Sequence, residues 1–233
     1  MDKKRQIATV GALVVLACLV QAWMIWRAVA PAQDSLRYLI VAQGMQRDGL
    51  LATLDEQYEQ PLFPALVWLT HAALTRTGII STANWAICLQ IAAAVPLIVA
   101  AAPVYLLLRR LHGPPAAFAG GWLFLLFTEA ARLGADGLSD STHLCLCCWA
   151  LWAMVVYFTG GRFGAEKQET SLPGRRRGAL WLASAGALSG LAVLARAEAL
   201  ALSAAFFATL VVVQFNRSWR LAWAEAAAAA LSF

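Results

Sequence analysis

Residues Ala83–Leu108 read ANWAICLQIAAAVPLIVAAAPVYLLL, a run without one charged side chain. Crossing the hydrocarbon of a bilayer takes about 20 mostly apolar residues in a helix, and this run exceeds that length. Working outward, the same criterion marks Ile7–Trp26, Ala116–Phe127 continuing through Ala131, Leu138–Phe158, Ala179–Ala195 and Ala199–Phe215. A further apolar stretch opens at Leu221 and is still apolar at Phe233, about half a span, so residues 1–233 read as the N-terminal part of a longer multi-span protein. Composition agrees: of 233 residues 61% are hydrophobic and 13% charged, with a mean hydropathy of +0.66, outside the range of ordinary soluble domains. The expected fold is all-α, a polytopic transmembrane helical bundle.

Charge orients the chain. With the N-terminus in the cytoplasm, Lys3, Lys4, Arg5, Arg109, Arg110, the loop 160–178 with its Arg175-Arg176-Arg177 run, Arg217 and Arg220 fall inside, whereas most acids, among them Asp34, Glu59, Asp136, Asp140 and Glu198, fall outside. That predicts a multi-pass protein of the plasma (inner) membrane. The pI of about 9.2 is no nucleic-acid signal, because the basic residues sit in short loops between spans. Lys3-Lys4-Arg5 ahead of an apolar stretch has the outline of a secretory signal, but that stretch is too long for an h-region and reads as an uncleaved anchor. Cys18, Cys88, Cys145, Cys147 and Cys148 all fall in apolar spans, which argues for packing rather than a disulfide framework, and the Cys145–Cys148 spacing is not that of a zinc site.

The outer segment 27–82 is the one loop long enough for structure of its own. Ser35–Asp48 carries Leu36, Leu39, Ile40 and Met45 on one side and reads as a short amphipathic helix lying in the membrane interface, ended by Gly49. Pro61–Leu74 is apolar but at about 14 residues too short to span, which predicts a second interfacial or re-entrant helix with Pro61 in its first turn. Between them Asp55-Glu56-Gln57-Tyr58-Glu59 forms an acidic turn.

Chemistry can gather at this face. Asp34 stands with Arg37 and Tyr38, three and four residues on along a helix. Glu59 stands with Gln60, Asp136 and Asp140 flank the start of the fourth span, and Arg196-Ala197-Glu198 joins the fifth span to the sixth. Charges at the ends of tightly connected spans are expensive to desolvate unless paired or facing water, so Arg196 and Glu198 are expected to face inward.

In order, the short basic N-terminus, single span, Asp34 in an early outer loop, interfacial helix, Glu59-Gln60-Pro61-Leu62-Phe63-Pro64-Ala65-Leu66, Leu138-Ser139-Asp140 and Arg196-Ala197-Glu198 resemble the GT-C superfamily of polyprenyl-phosphate-dependent glycosyltransferases. Within it the chain is similar to the protein O-mannosyltransferase and lipid A aminoarabinose transferase group, over roughly Val29 to Leu202. The resemblance implies sugar transfer from a polyprenyl-phosphate donor to a glycan, lipid or protein acceptor on the outer face, with catalytic roles for Asp34, Glu59 and Asp140. Asp34 matches the acid that serves as base or orients the acceptor. Arg37, Tyr38, Gln60, Asp136, Arg196 and Glu198 would contact substrate. Relatives carry Lys or His beside the proline where this chain has Gln60, which shifts phosphate binding toward Arg196 or Arg132. The residue types suit such a reaction: a carboxylate can take the acceptor's proton, and a guanidinium binds phosphate through two parallel hydrogen bonds. A divalent metal ion held by Asp34 and Glu59 is the alternative source of positive charge. The rival readings are a transporter or flippase, and a noncatalytic membrane scaffold.

Overall fold

The computed structural model describes residues 3–28, 31–55, 60–160, 172–209 and 211–212. Among them the secondary structure is helical throughout: α1 (Lys3–Arg27), α2 (Ser35–Asp48), α3 (Leu50–Asp55), α4 (Leu62–Arg76), α5 (Trp85–His112), α6 (Pro114–Leu126), α7 (Thr128–Ala135), α8 (Asp140–Gly160) and α9 (Leu172–Ala195). A further apolar helix covers Ala199–Thr209.

α5 organises the bundle, packing against α1, α6, α7, α8 and α4. Its small residues Ala93, Ala100 and Ala101 are fully buried, and such residues let neighbouring backbones approach closely where apolar side chains gain nothing by leaving lipid. One core joins α1, α5 and α6 through Leu13, Ala17, Ala101, Tyr105, Ala117 and Leu125. A second joins α2, α4 and α5 through Ala42, Phe63, Val67 and Leu89, and a third joins α8 to α9 through Ala150, Ala153, Met154 and Ala185. The outward faces stay apolar: Leu123 is 72% exposed and Leu19 64%. Faces of that kind belong in lipid rather than in water.

Among the described residues, α1, α5 and α8 are each long and apolar enough to cross a membrane. The run Ala116–Ala131 forms two helices, α6 and α7, which are apolar and long enough to cross when taken together but are bent by 54°. The bend falls at Phe127, whose backbone is extended at φ −66°, ψ 111°. Two buried glutamines hold the second piece in its swung position: Gln21 of α1 donates to the Ala131 carbonyl at 3.1 Å, and Gln90 of α5 donates to the Ala135 carbonyl at 2.8 Å. The second of these satisfies a helix-terminal carbonyl that hydrocarbon cannot. α9 starts earlier than the run Ala179–Ala195, because Pro173 suits a first turn and Arg175–Arg177 continue as good helix formers, but its apolar part, Leu180–Ala195, is short for a span. The run Ala199–Phe215 is helical over Ala199–Thr209, and the stretch from Leu221 lies outside the described residues.

Both helices expected in the long loop are present, and α2 has the bounds read from the sequence. Gly49 ends α2 at φ +91°, and Pro61 caps α4 rather than opening its first turn. Ser35, Val41, Ala42 and Met45 are buried and Tyr38 and Leu39 pack on the second core, while Leu36 and Ile40 are 49% and 64% exposed. α2 therefore has an apolar stripe against the bundle and another facing away from it.

Candidate functional site

Three backbone segments distant in sequence interlock at one end of the bundle: the start of α2, the α7–α8 turn, and the break Arg196–Glu198 between α9 and the helix Ala199–Thr209. The α7–α8 turn is tight. Gly137 takes φ +68°, and a Cβ there would come within 2.7 Å of Leu89 Cγ, so the position requires glycine on conformation and on space. The turn presents the Asp136 carbonyl oxygen to two donors of the neighbouring loop, the Ala32 N–H at 3.0 Å and the Ser35 hydroxyl. It also presents the Ser139 hydroxyl, 3.0 Å from the Tyr38 hydroxyl. Tyr38 is fixed from its other side by an edge-on contact with Phe63, with ring centroids 5.1 Å apart.

On the opposite flank of the turn, Arg196 donates from Nη1 to Asp140 Oδ1 and from Nη2 and Nε to Glu198 at 3.1 and 3.2 Å. One guanidinium thus ties the start of α8 to the end of α9. The three side chains differ in exposure, with Arg196 at 32%, Asp140 at 35% and Glu198 at 66%. Hydrogen bonding to Glu198 raises Arg196 further above its ordinary range. The same contact holds the Glu198 carboxyl at about 2 against an ordinary 4.5. Both groups are therefore charged throughout the physiological range, and Arg196 carries enough donors to serve two carboxylates at once.

Of the residues marked in the sequence, Tyr38, Asp136, Asp140, Arg196 and Glu198 come together here. Arg196 and Glu198, expected to face inward, pair with each other, with Arg196 one-third and Glu198 two-thirds exposed. Asp34 is at the same end, one residue from Ser35, exposed, with its carboxylate making no capping hydrogen bond to α2. Tyr38, one turn on, turns into the bundle, while Asp34 and Arg37 are exposed. Gln60 is half-buried just ahead of Pro61, and Glu59 lies outside the described residues together with the rest of the acidic turn beyond Asp55. The pairing of Asp34 with Glu59, and a metal ion held between them, fall there too. Among the described residues no three His, Cys, Asp or Glu side chains are grouped to hold a metal ion.

Two participants are not among the candidate residues marked in the sequence. Ser139 lies inside the Leu138-Ser139-Asp140 motif and is the partner of Tyr38, and Ser35 secures the turn. His143 follows Asp140 by one turn of α8, with Cys147 Sγ 3.6 Å from its Nε2. No family model, curated protein or solved structure matches this chain.

Proposed function

We propose that the protein is a membrane glycosyltransferase that moves a sugar from a polyprenyl-phosphate donor to an acceptor hydroxyl at the outer face of the plasma membrane, with its N-terminus in the cytoplasm and α2 and α4 lying at the membrane surface. The observation that carries this reading is the gathering of Tyr38, Asp140, Arg196 and Glu198 at the end of the bundle where the Asp34 carboxylate stays clear of its own helix. Such an end offers a proton acceptor and a phosphate-binding cation at a membrane edge, the two groups that sugar transfer from a lipid phosphate needs.

In this mechanism the acceptor oxygen attacks the anomeric carbon while Asp34 takes its proton. The bond from the anomeric carbon to the phosphate oxygen breaks, and the electron pair leaves with the polyprenyl phosphate. Arg196, anchored on Asp140, exchanges the more exposed Glu198 for the departing phosphate, whose geometry matches a guanidinium fork. Tyr38 and Gln60 orient the sugar, and Glu59 and Asp136 bound the acceptor side. The acceptor class is a glycan, a lipid or a protein.

The test is transfer itself. The protein reconstituted in proteoliposomes with radiolabelled polyprenyl-phosphate sugars should pass label to an acceptor from a panel of glycans, lipids and peptides, releasing polyprenyl phosphate in equal amount. Movement of the intact lipid-linked sugar between leaflets with no release of polyprenyl phosphate would overturn the proposal in favour of a transporter.

A further inference from the structure

The opposite end of the bundle is built differently. α5 finishes on Arg109, Arg110, Leu111 and His112, beside the last turn of α8. Arg110 is fixed in two ways: its Nε donates to the Thr159 hydroxyl, and its guanidinium carbon stands 6.0 Å from the centroid of the Trp152 ring. Its stem therefore runs along apolar surface with the charged head held at the rim, and no described residue accepts a hydrogen bond from its terminal nitrogens. Arg109 is half-buried, and its Nη1 is shut off from solvent with no acceptor. A charged donor in that state is costly unless an anion meets it.

The surrounding helices supply no such anion. There is no Asp or Glu between Lys3 and Gln33, between Gln60 and Thr128, or between Ser141 and Gly160, which covers α1, α5, α6 and the lower part of α8. Lys4 and Arg5 at the start of α1 add positive charge at the same end, since α1 and α5 pack antiparallel with Leu13 near Tyr105 and Ala17 near Ala101. α5 and α8 are both membrane-crossing in length and composition, so their shared end lies where hydrocarbon gives way to headgroups.

We propose that Arg109 and Arg110 form a binding site for the phosphate of an anionic phospholipid. Arg110 presents a fork pre-set by Thr159 and Trp152 to the lipid phosphate, and the neighbouring Arg109 adds its positive charge beside it. The acyl chains lie on the apolar surfaces of α5 and α8 beneath, and the net negative headgroup answers an end that is otherwise wholly basic among the described residues. The site is independent of the proposed transferase activity.

The test uses the full chain, purified in detergent, stripped of lipid and titrated with phosphatidylglycerol or phosphatidylcholine of matched chains under native mass spectrometry. Single-lipid adducts should form at an at least about tenfold lower concentration of phosphatidylglycerol, the scale of a bidentate charge-assisted contact. Arg110→Gln and Arg109→Gln should each remove most of that preference, and Arg110→Lys, which keeps charge but not the fork, should retain only part. Thr159→Val leaves every charge in place and should also weaken the preference, so it carries the test if an arginine variant fails to fold. Equal binding of the two lipids by the natural chain, or an undiminished preference in the Arg109→Gln, Arg110→Gln double variant, would overturn the proposal. Displacement of phosphatidylglycerol by an equal concentration of glycerol phosphate would also overturn it, by showing a site for a free anion.

Discussion

The two ends of this bundle solve the problem of charge at a membrane edge in opposite ways. At the Asp140 end, a single guanidinium serves one carboxylate from α8 and one from the 196–198 break, and hydroxyls and a backbone carbonyl join the start of α2 to the α7–α8 turn. At the Arg110 end the protein fixes a cation with a hydroxyl and a ring but supplies no carboxylate among the described residues. The first arrangement locks segments of the fold together; the second leaves Arg109 and Arg110 without a carboxylate among the described residues. A charge near the end of a span is thus not one kind of feature. Its role follows from whether its counter-ion is carried on a neighbouring helix.

The largest effect expected from breaking this contrast is on turnover. Asp34→Asn keeps the side chain's size but cannot take a proton, so transfer should fall by about 10²–10⁴-fold with protein level unchanged. His112→Asn at the basic end should leave the rate within the scatter of the assay. Equal loss in the two variants would mean that the ends are not functionally distinct.

Next in size is the turn that assembles the acidic end. Gly137→Ala forces a side chain into the left-handed region and against Leu89, and should destabilise the protein by about 1–3 kcal/mol. Thermal unfolding in detergent reads the loss. An unchanged midpoint would show that the turn relaxes without disturbing Asp136 and Ser139.

Arg196→Gln removes the shared cation and should lower stability by about 1–2 kcal/mol, kept small because the pair is about one-third exposed and screened by solvent. A double-mutant cycle with Asp140→Asn isolates the contact, since the second change should have little further effect once Arg196 is gone. Full additivity would sever α8 from the 196–198 break.

The smallest effect is the dependence on acid. Because Glu198 is depressed to about 2 in the folded protein from an ordinary 4.5, its contribution is fully present above about pH 4.5 and is lost as pH falls toward 2. Stability of the natural chain should therefore fall more steeply through that window than stability of a Glu198→Gln variant. Matching slopes would show that Arg196 gives Glu198 no preference for its charged form.

Much of this is legible in the sequence. The uncharged run Ala83–Leu108 anticipated α5, and Ser35–Asp48 gave α2 to the residue, because Gly49 terminates a helix by backbone conformation alone. Which face of α2 packs inward was not readable. Leu36 and Ile40 are as apolar as Val41 and Ala42, and beside a membrane both lipid and protein accept apolar surface, so periodicity cannot separate them. The break at Phe127 was hidden for a related reason: its cause lies in Gln21 and Gln90, more than 100 and more than 30 residues away in sequence.

The sequence by itself determined the class of this protein and the sign of charge at each end, since hydropathy and charge are local properties that a bilayer reads segment by segment. Tertiary structure decided which charges became partners. Asp140 and Arg196 stand 56 residues apart and meet only because α8 and α9 pack antiparallel. Tyr38 and Ser139, separated by 101 residues, meet only because the Gly137 turn sets α8 against the start of α2. A hydrogen bond needs its atoms within about 3 Å, and that proximity is a property of packed helices rather than of spacing along the chain.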